Sequence, residues 1–400
     1  MSISRKANKA LDEDRVERLV MRHLEGLAPE NLGFGHDPYT GEKKLRFPMA
    51  LGLYLRSFLR MRTWSGCERQ LNELISASIT HLDRTRGEDG AWGLPFAWKD
   101  LPSGAPMTIT TAIAAGALLE INQTASEDLL TNACDWLCDG IQWAEGKAGA
   151  CPWFADGWPL LATNVACRTA GTLIHAGQHI GKPRYTLRAT QAARYVCSEQ
   201  DRAGFWVYGK PNERALRSAE VIDNKHTGYI LEGLLQILEC RRGSPWGLAR
   251  AIKASIRRGV RSMNALFFPG DGMIREKLWR VSREQEQVMY ARASATREWT
   301  SQQLRRGLRL VAHPVEPRLW SLGEALVVHS MAAATGLGAI DNWQDVLRRI
   351  ESLATDNGHF RYRMNEGSVY VRHEAHVFAG LVELRGLIGQ SGGRHVLRQE

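Results

Sequence analysis

The sequence predicts an all-α protein, an α/α toroid of about five to seven helical hairpins, and three observations carry that reading. A Gly-aromatic turn recurs as GEDGAWG at 87–93, KAGACPWF at 147–154, DRAGFWVYG at 201–209, PGDGMIRE at 269–276 and TDNGHFRYR at 355–363. Each turn leads through a polar stretch into an apolar, small-residue helix: MTITTAIAAGALLEI, NVACRTAGTLIHAG, HTGYILEGLLQILE, SLGEALVVHSMAAATG and EAHVFAGLVELRGLIG. Between these lie amphipathic segments such as YTLRATQAARYVCSEQ and NWQDVLRRIESLAT. A helix that is apolar on nearly every side must be buried, whereas one with a polar face lies outside. The alternation therefore describes an inner ring of helices within an outer ring. A linear helical solenoid would alternate in the same way, but the irregular repeat length and the aromatic-laden turns favour closure.

The first 80 residues are less regular. DEDRVERLVMRHLEGL reads as an amphipathic helix, and MALGLYLRSFLRM with CERQLNELISASITHL makes a first hairpin. A Gly/Pro-punctuated loop, GFGHDPYTGEKKLRFP, separates them. We read 1–80 as a helical region packed on the toroid and 81–400 as the toroid, in one continuous domain, because no linker divides the 400 residues.

Hydrophobic content of 44% and charged content of 24% exclude wholesale disorder. No apolar run approaches the roughly 20 residues of a membrane helix. The opening MSISRKANKALDEDR has no apolar h-region of a signal peptide, so the expected location is cytoplasmic. The seven cysteines are odd in number and contain no C-x-x-C pair, which fits reduced core cysteines better than zinc ligands. No metal and no cofactor is expected.

The formal charge is +9, and arginine outnumbers lysine several-fold. Much of the excess lies in Arg241, Arg242, Arg257, Arg258, Arg261, Arg305 and Arg306. Such a face is either simply solvated or attracts an anionic polymer or a membrane surface. No specific nucleic-acid motif accompanies it.

In a toroid, inner-helix ends and loops converge on the mouth of the central cleft. The densest polar stretch there is Glu220-Val-Ile-Asp223-Asn224-Lys225-His226-Thr227-Gly228-Tyr229. Asp223 is placed to cap the helix that follows, and His226 and Tyr229 share a helical face. The second cluster is Arg361-Tyr362-Arg363 with Tyr370-Val-Arg372-His373-Glu374-Ala-His376, in which Arg372 and His376 share a face. Glu324 and His329 are weaker candidates. Trp92, Trp98, Trp206 and Tyr208 in the Gly turns are either sugar platforms or plugs between hairpins. There is no P-loop, GxSxG elbow, HExxH or EF-hand loop.

The runs WGLPFAWKDLPSGAPMTITTAIAAGALLEI, ATNVACRTAGTLIHAG, DRAGFWVYG and IDNKHTGYILEGLLQI resemble a bacterial α/α-toroid family found with polysaccharide-biosynthesis genes. The likeness spans roughly 85–240, with RHEAHVFAGLVEL a looser match to that family's last helix. The Asn-x-His element with a nearby Tyr and a separate Arg also resembles the catalytic set of α/α-toroid polysaccharide lyases. That resemblance implies that Asn224 and Arg372 bind a uronate carboxylate, and that His226 or Tyr229 takes the C5 proton. It further implies that Tyr229 protonates the departing O4. The remaining members of the expected site are His376, catalytic, and Asp223, Arg361 and Glu374, substrate-binding.

The expected function is therefore an enzyme on a uronate-containing glycan or sugar conjugate, acting by β-elimination or C5 epimerisation. The alternatives are a glycoside hydrolase using Asp223 with Glu374 or Glu324, a toroid terpenoid- or peptide-modifying enzyme, and a non-catalytic glycan-binding scaffold.

Overall fold

The computed structural model describes residues 2–41, 43–64, 66–121, 126–208, 220–240, 246–270, 273–281, 301–304, 308–312 and 316–393. Arg241, Arg242, Arg305 and Arg306 of the basic stretch, and positions 271 and 272 of the fourth Gly turn, lie outside these residues.

Among the described residues there are twelve α-helices: α1 (Ser2–Glu25), α2 (Pro48–Met61), α3 (Glu68–Thr85), α4 (Thr108–Leu118), α5 (Glu127–Asp135), α6 (Thr163–Ile180), α7 (Pro183–Ser198), α8 (Asn224–Glu239), α9 (Trp246–Phe267), α10 (Leu319–Ala334), α11 (Trp343–Leu353) and α12 (Val371–Gly393). The even-numbered helices pack in the cycle α2–α4–α6–α8–α10–α12 and back to α2, and each is backed by its odd-numbered neighbour. The fold is thus a closed α/α toroid of six hairpins. The first 80 residues enter the ring itself, because α2 lies between α4 and α12 and α1 packs on α12.

Burial follows the sequence pattern. In α4 every residue except Gly116 is buried, and α10 is buried from Leu319 through Ala332. The outer α11 buries only Val346, Leu347, Ile350 and Leu353, one stripe of a helix. Glycine lets the inner helices approach closely. A Cβ on Gly233 of α8 would lie 2.7 Å from the Cys167 carbonyl oxygen of α6. Gly233→Ala is therefore expected to destabilise by about 1–2 kcal/mol, since overpacking against backbone exceeds the ~1 kcal/mol gain in helix propensity. Gly386→Ala in α12, with nothing within 4 Å, is expected to be neutral or stabilising. Chemical denaturation of both variants tests the contrast, and equal effects would contradict it.

The recurrent turn is what closes the ring. Gly90, Gly149, Gly204, Gly270 and Gly358 all have positive φ. Gly204 (φ +97°) sits against the backbone of Arg258 on α9, and Gly358 (φ +82°) against the backbone of Arg22 on α1. Either position would strain any side chain and also lacks room for one. Gly90 and Gly149 abut Asn132 of α5 and the backbone of α7 in the same way. Each turn thus leaves one hairpin and seats on the outer helix of the next, and the last seats on α1. The aromatics fasten the other side: the indoles of Trp92 and Trp206 donate to the carbonyls of Leu82 and Val196 on the preceding outer helices.

One feature departs from an all-helical chain. β5 (Glu220–Asp223), β6 (Lys277–Val281), β7 (Ser301–Leu304) and β8 (Leu308–Ala312) form an antiparallel sheet in the order β5-β6-β8-β7. Two short two-stranded ladders, β1 (Phe34–Gly35) with β2 (Leu45–Arg46) and β3 (Trp143–Gly146) with β4 (Gly149–Pro152), also decorate the loops. Because β5 runs directly into α8, the larger sheet stands at the end of the ring where inner helices begin.

Candidate active site

Inner helices are all entered from the same end, so their N-termini surround one mouth and present unpaired N–H groups and positive dipole ends to it. The site is built from the first two turns of α6, α8, α10 and α12. On α8, Lys225, Tyr229, Glu232 and Gln236 recur at one-face spacing. Tyr229 Oη lies 2.8 Å from His376 Nε2 on α12, across the lumen from a helix it does not adjoin in the ring. Which of the two carries the proton is set by the imidazole tautomer. The His376 ring stacks on Trp320 of α10, with centroids 4.2 Å apart and 15° between planes. His373 meets the same indole edge-on at 5.4 Å. Glu324 Oε2 stands 3.8 Å from His376 Nδ1, too far for a hydrogen bond.

Beneath them Glu232 binds both Arg168 of α6 and Arg56 of α2. Burial opposes ionisation of Glu232, but Arg168 and Arg56 outweigh it and hold the carboxyl well below its ordinary range. Burial, then the charge of Glu232, pushes Glu324 well above the usual value, so Glu324 keeps its proton. Only about 10 Å³ of cavity remains among Arg56, Glu232, Glu324 and His376, roughly one water. This plug separates the mouth from a cavity of about 770 Å³ at the opposite end, lined by Arg56, Arg60, Glu120, His175, Gln236 and Glu239.

The mouth is the chemically unfinished end. Asn164 Oδ1, Trp320 Nε1, Glu324 Oε1 and His373 Nδ1 are buried there without a hydrogen-bond partner, whereas no such atom lines the opposite cavity. Buried polar groups are nearly always satisfied, so these four mark a place where water or a ligand supplies the partners. The mouth also holds one surplus cation. Arg372 pairs with Asp37 (2.6 Å), Arg318 with Glu276 (2.9 Å), and Lys277 lies 4.0 Å from Asp223. Among the described residues Lys225 has no ion pair; its ammonium sits 4.6 Å from the Trp320 ring centroid. Burial lowers it to about 8, partly offset by Asp223, so it remains mostly charged at neutral pH.

Five imidazoles, four of them buried and His226 partly exposed, give the fold a pH signature. His23, His226, His329, His373 and His376 are all held below the ordinary histidine value, in each case chiefly by burial, His226 and His329 at about 4. The unfolded chain binds these protons near pH 6.5 while the folded chain does not, so stability is lost as pH falls from 6.5 toward 4. His359, raised by its hydrogen bond to Glu374, runs the other way. Each net imidazole contributes a slope of about 1.4 kcal/mol per pH unit. A Tm that stays flat between pH 6.5 and 5 would contradict this.

The two sequence clusters do meet, through Tyr229 and His376. The other candidates are placed as follows. Asp223 caps α8 by accepting from the His226 N–H (3.3 Å) and faces His226 Nδ1 (3.3 Å), so its carboxylate is engaged within the protein rather than open to a substrate. Asn224 donates its side-chain amide to the Arg275 carbonyl (3.2 Å), which takes it away from a carboxylate-binding role. His226 stands at the rim with its ring stacked on Tyr208, centroids 3.8 Å apart. No hydrogen bond or ion pair among the described residues joins it to Arg372, which is occupied by Asp37.

Arg361 donates to the Ser352 carbonyl on α11 and faces the outer wall. Glu374 accepts from the Phe360 N–H (2.9 Å) and pairs with His359 (3.0 Å), also behind the ring. Trp92 and Trp206 are fully buried staples, not sugar platforms. Trp98 stays half-buried beside Phe154 and Trp158, with the Lys99 ammonium 4.5 Å from its ring centroid. His329 accepts the Ile340 N–H well away from the mouth.

His23, His359 and Glu374 bring potential metal-ligand atoms within 4.8 Å of one another. Hydrogen bonds account for this set, since His23 faces the Gly358 carbonyl (2.8 Å) and the Tyr54 hydroxyl (3.1 Å), while Glu374 bridges His359 and Phe360. All seven cysteines are free, and six are buried.

Lys225, Glu232, Arg168 and Trp320 were not singled out from the sequence. Their signal was a polar residue recurring at helical spacing inside a helix too apolar to be exposed.

No protein-family model and no curated protein sequence matches the chain, but many solved structures do. Cellobiose 2-epimerase from Spirochaeta thermophila superposes with TM-score 0.63 at 13% identity, covering 96% of this chain and 98% of that one. A glycosyl hydrolase family 88 protein from Bacteroides vulgatus gives 0.60 at 8%, covering 94% and 99%. A D-mannose isomerase gives 0.61 at 11%, covering 95% and 97%. The shared feature is the α/α-toroid fold. No helix among the described residues is long and apolar enough to cross a membrane.

Proposed function

We propose that the protein is an enzyme that moves the proton on C5 of a uronate sugar, by β-elimination or epimerisation. The observation that carries this reading is the Tyr229–His376 hydrogen bond of 2.8 Å beside Lys225, a cation with no ion pair among the described residues. A uronate carboxylate completes the pairing of Lys225 and spreads the charge that develops when C5 loses its proton. Imidazole that is neutral in the resting site accepts that proton, and an anionic substrate beside it favours the resulting imidazolium. In elimination the C5–H electrons form the C4–C5 double bond and O4 departs, protonated from the Tyr229 side. In epimerisation the proton returns to the other face of C5, which requires a second group opposite; His373, edge-on to the same indole, is the candidate for it. That several toroids of the same fold carry the names of sugar epimerases, an isomerase and glycoside hydrolases supports a sugar as substrate.

The hydrolase alternative loses its residues. Glycosidases need two carboxyls about 5–10 Å apart across the scissile bond. Glu374 faces away from the lumen and Asp223 is tied to His226, while Glu324 is pressed against Glu232.

The test is incubation with a panel of uronate oligosaccharides in deuterated buffer. Ultraviolet absorbance reads the unsaturated product, and mass spectrometry reads deuterium at C5. One of the two signals is expected with the native enzyme and neither with His376→Gln. Silence in both across the panel would replace the enzyme by a glycan-binding scaffold.

A further inference from the structure

The basic stretch finds its structural expression in α9. This outer helix buries Leu248, Ile252, Ile256, Val260 and Met263 against the ring and turns Arg250, Lys253, Arg257 and Arg261 to solvent. These four positions are three or four residues apart, so they form one row about 17 Å long at 1.5 Å per residue. The helix contains no Asp or Glu. On the other outer helices many arginines are paired, Arg15 with Glu351, Arg69 with Glu73, Arg184 with Asp135, Arg188 with Glu145 and Arg349 with Glu316, while exposed Arg18, Arg22, Arg84 and Arg194 stand singly or in twos. Among the described residues, none of the four α9 cations has an ion pair. Among the described residues no other outer helix carries as many exposed cations without a carboxylate partner, and none sets four of them in one row.

The row also has a direction. α9 runs along the outside of the ring and ends at the mouth, where the Phe267 carbonyl accepts from Arg275 (3.0 Å) and the adjoining Glu276 carbonyl accepts from the Asn224 N–H at the start of α8 (3.0 Å). The turn at 201–204 flanks the helix, since Gln200 binds Ser255 and Arg258 (both 2.6 Å), and it adds the exposed Arg202.

We propose that the outer face of α9 is a docking track for a linear polyanionic glycan, holding the polymer along the wall so that one stretch of it reaches the mouth. The identity of the polymer as a polyuronate rests on the function proposed above. A membrane is the poorer occupant because the other exposed positions of α9, Ala251 within the row and Gly247 and Ala265 beyond its ends, offer no long apolar or aromatic side chain to insert. Docking raises the effective concentration of polymer at the site without any new contact there.

The experiment compares the native chain with the combined variant Arg250→Gln, Lys253→Gln, Arg257→Gln, Arg261→Gln on immobilised polygalacturonate, with dextran as the neutral control. All four side chains are exposed, and thermal unfolding checks that the fold is kept. Polymer binding at low salt is expected to weaken by at least about tenfold in the variant, with a shallower salt dependence, as when counterion release is lost. Tyr229→Phe is expected to abolish turnover and leave polymer retention unchanged, so failure of the track and failure of the catalytic reading are separable. The proposal is overturned if the native chain is not retained, or if the variant is retained equally well. It is also overturned if the four cations bind phosphatidylserine vesicles while polygalacturonate is ignored.

Discussion

Glu232→Ala is expected to remove about 3–5 kcal/mol of stability, the usual consequence of leaving a buried charge without its partner. Glu232 is 3% exposed and, among the described residues, is the only carboxylate that joins Arg168 to Arg56. Arg56 retains Glu120 and Glu383 after the substitution, but Arg168 has no other ion pair among the described residues. The neighbouring Glu324 should soften the loss: with the charge of Glu232 gone, one reason for Glu324 to hold its proton disappears, and it can ionise toward Arg168. The double variant Glu232→Ala, Glu324→Gln should then be less stable than Glu232→Ala alone, whereas Glu232→Ala with Arg168→Met should recover much of the loss. Urea denaturation midpoints at pH 7 read all three. A loss below about 1 kcal/mol for Glu232→Ala would show that water reaches Arg168 and that the lumen is not plugged as described.

This network explains why the ring was legible from the sequence while much of its site was not. The turns around Gly90 and Gly204 are local objects: a glycine at positive φ and, two residues on, a tryptophan pinned to a carbonyl ten residues back leave a short-range pattern. Their recurrence announced the hairpins and, with small-residue helices, the closure. Asp223 was legible as an N-cap for the same reason. The four-stranded sheet was not, because KLWRV and LRLVA are short and pair across long separations in the chain. Asn224 and Arg372 carry the right chemistry for a carboxylate, yet the fold gives each an internal partner, the Arg275 carbonyl and Asp37. Sequence shows which groups could bind a substrate, but their prior engagement depends on contacts 51 and 335 residues apart. The converse holds for Lys225, which was passed over in the sequence within its polar run and which, among the described residues, is the cation of the mouth left without an ion pair. Reading α8 as a buried inner helix with a polar stripe, rather than as a capped helix with a polar start, would have found Lys225 and Glu232 together.

Tyr229→Phe is the change that tests the site most directly, because it deletes one oxygen and keeps the ring that packs against Trp320. If the Tyr229–His376 pair transfers the proton, kcat on a uronate substrate should fall by about 10²–10⁴-fold, the ordinary worth of a positioned acid–base group. KM should change little, since the carboxylate contact belongs to Lys225. Lys225→Met should show the opposite split, a raised KM with a smaller fall in kcat. The fold will register the tyrosine change only modestly: His376 Nε2 loses its partner, a cost of about 1–3 kcal/mol. Burial pushes Tyr229 well above its ordinary value and His376 well below, so both stay neutral in the resting enzyme around neutral pH. The free-enzyme rate profile should accordingly lack an inflection from His376 near pH 6.5. A Tyr229→Phe enzyme that loses thermal stability yet retains kcat within about fivefold would make the hydrogen bond a structural clasp across the lumen. His373, the other imidazole on the Trp320 edge, would then be the base to test.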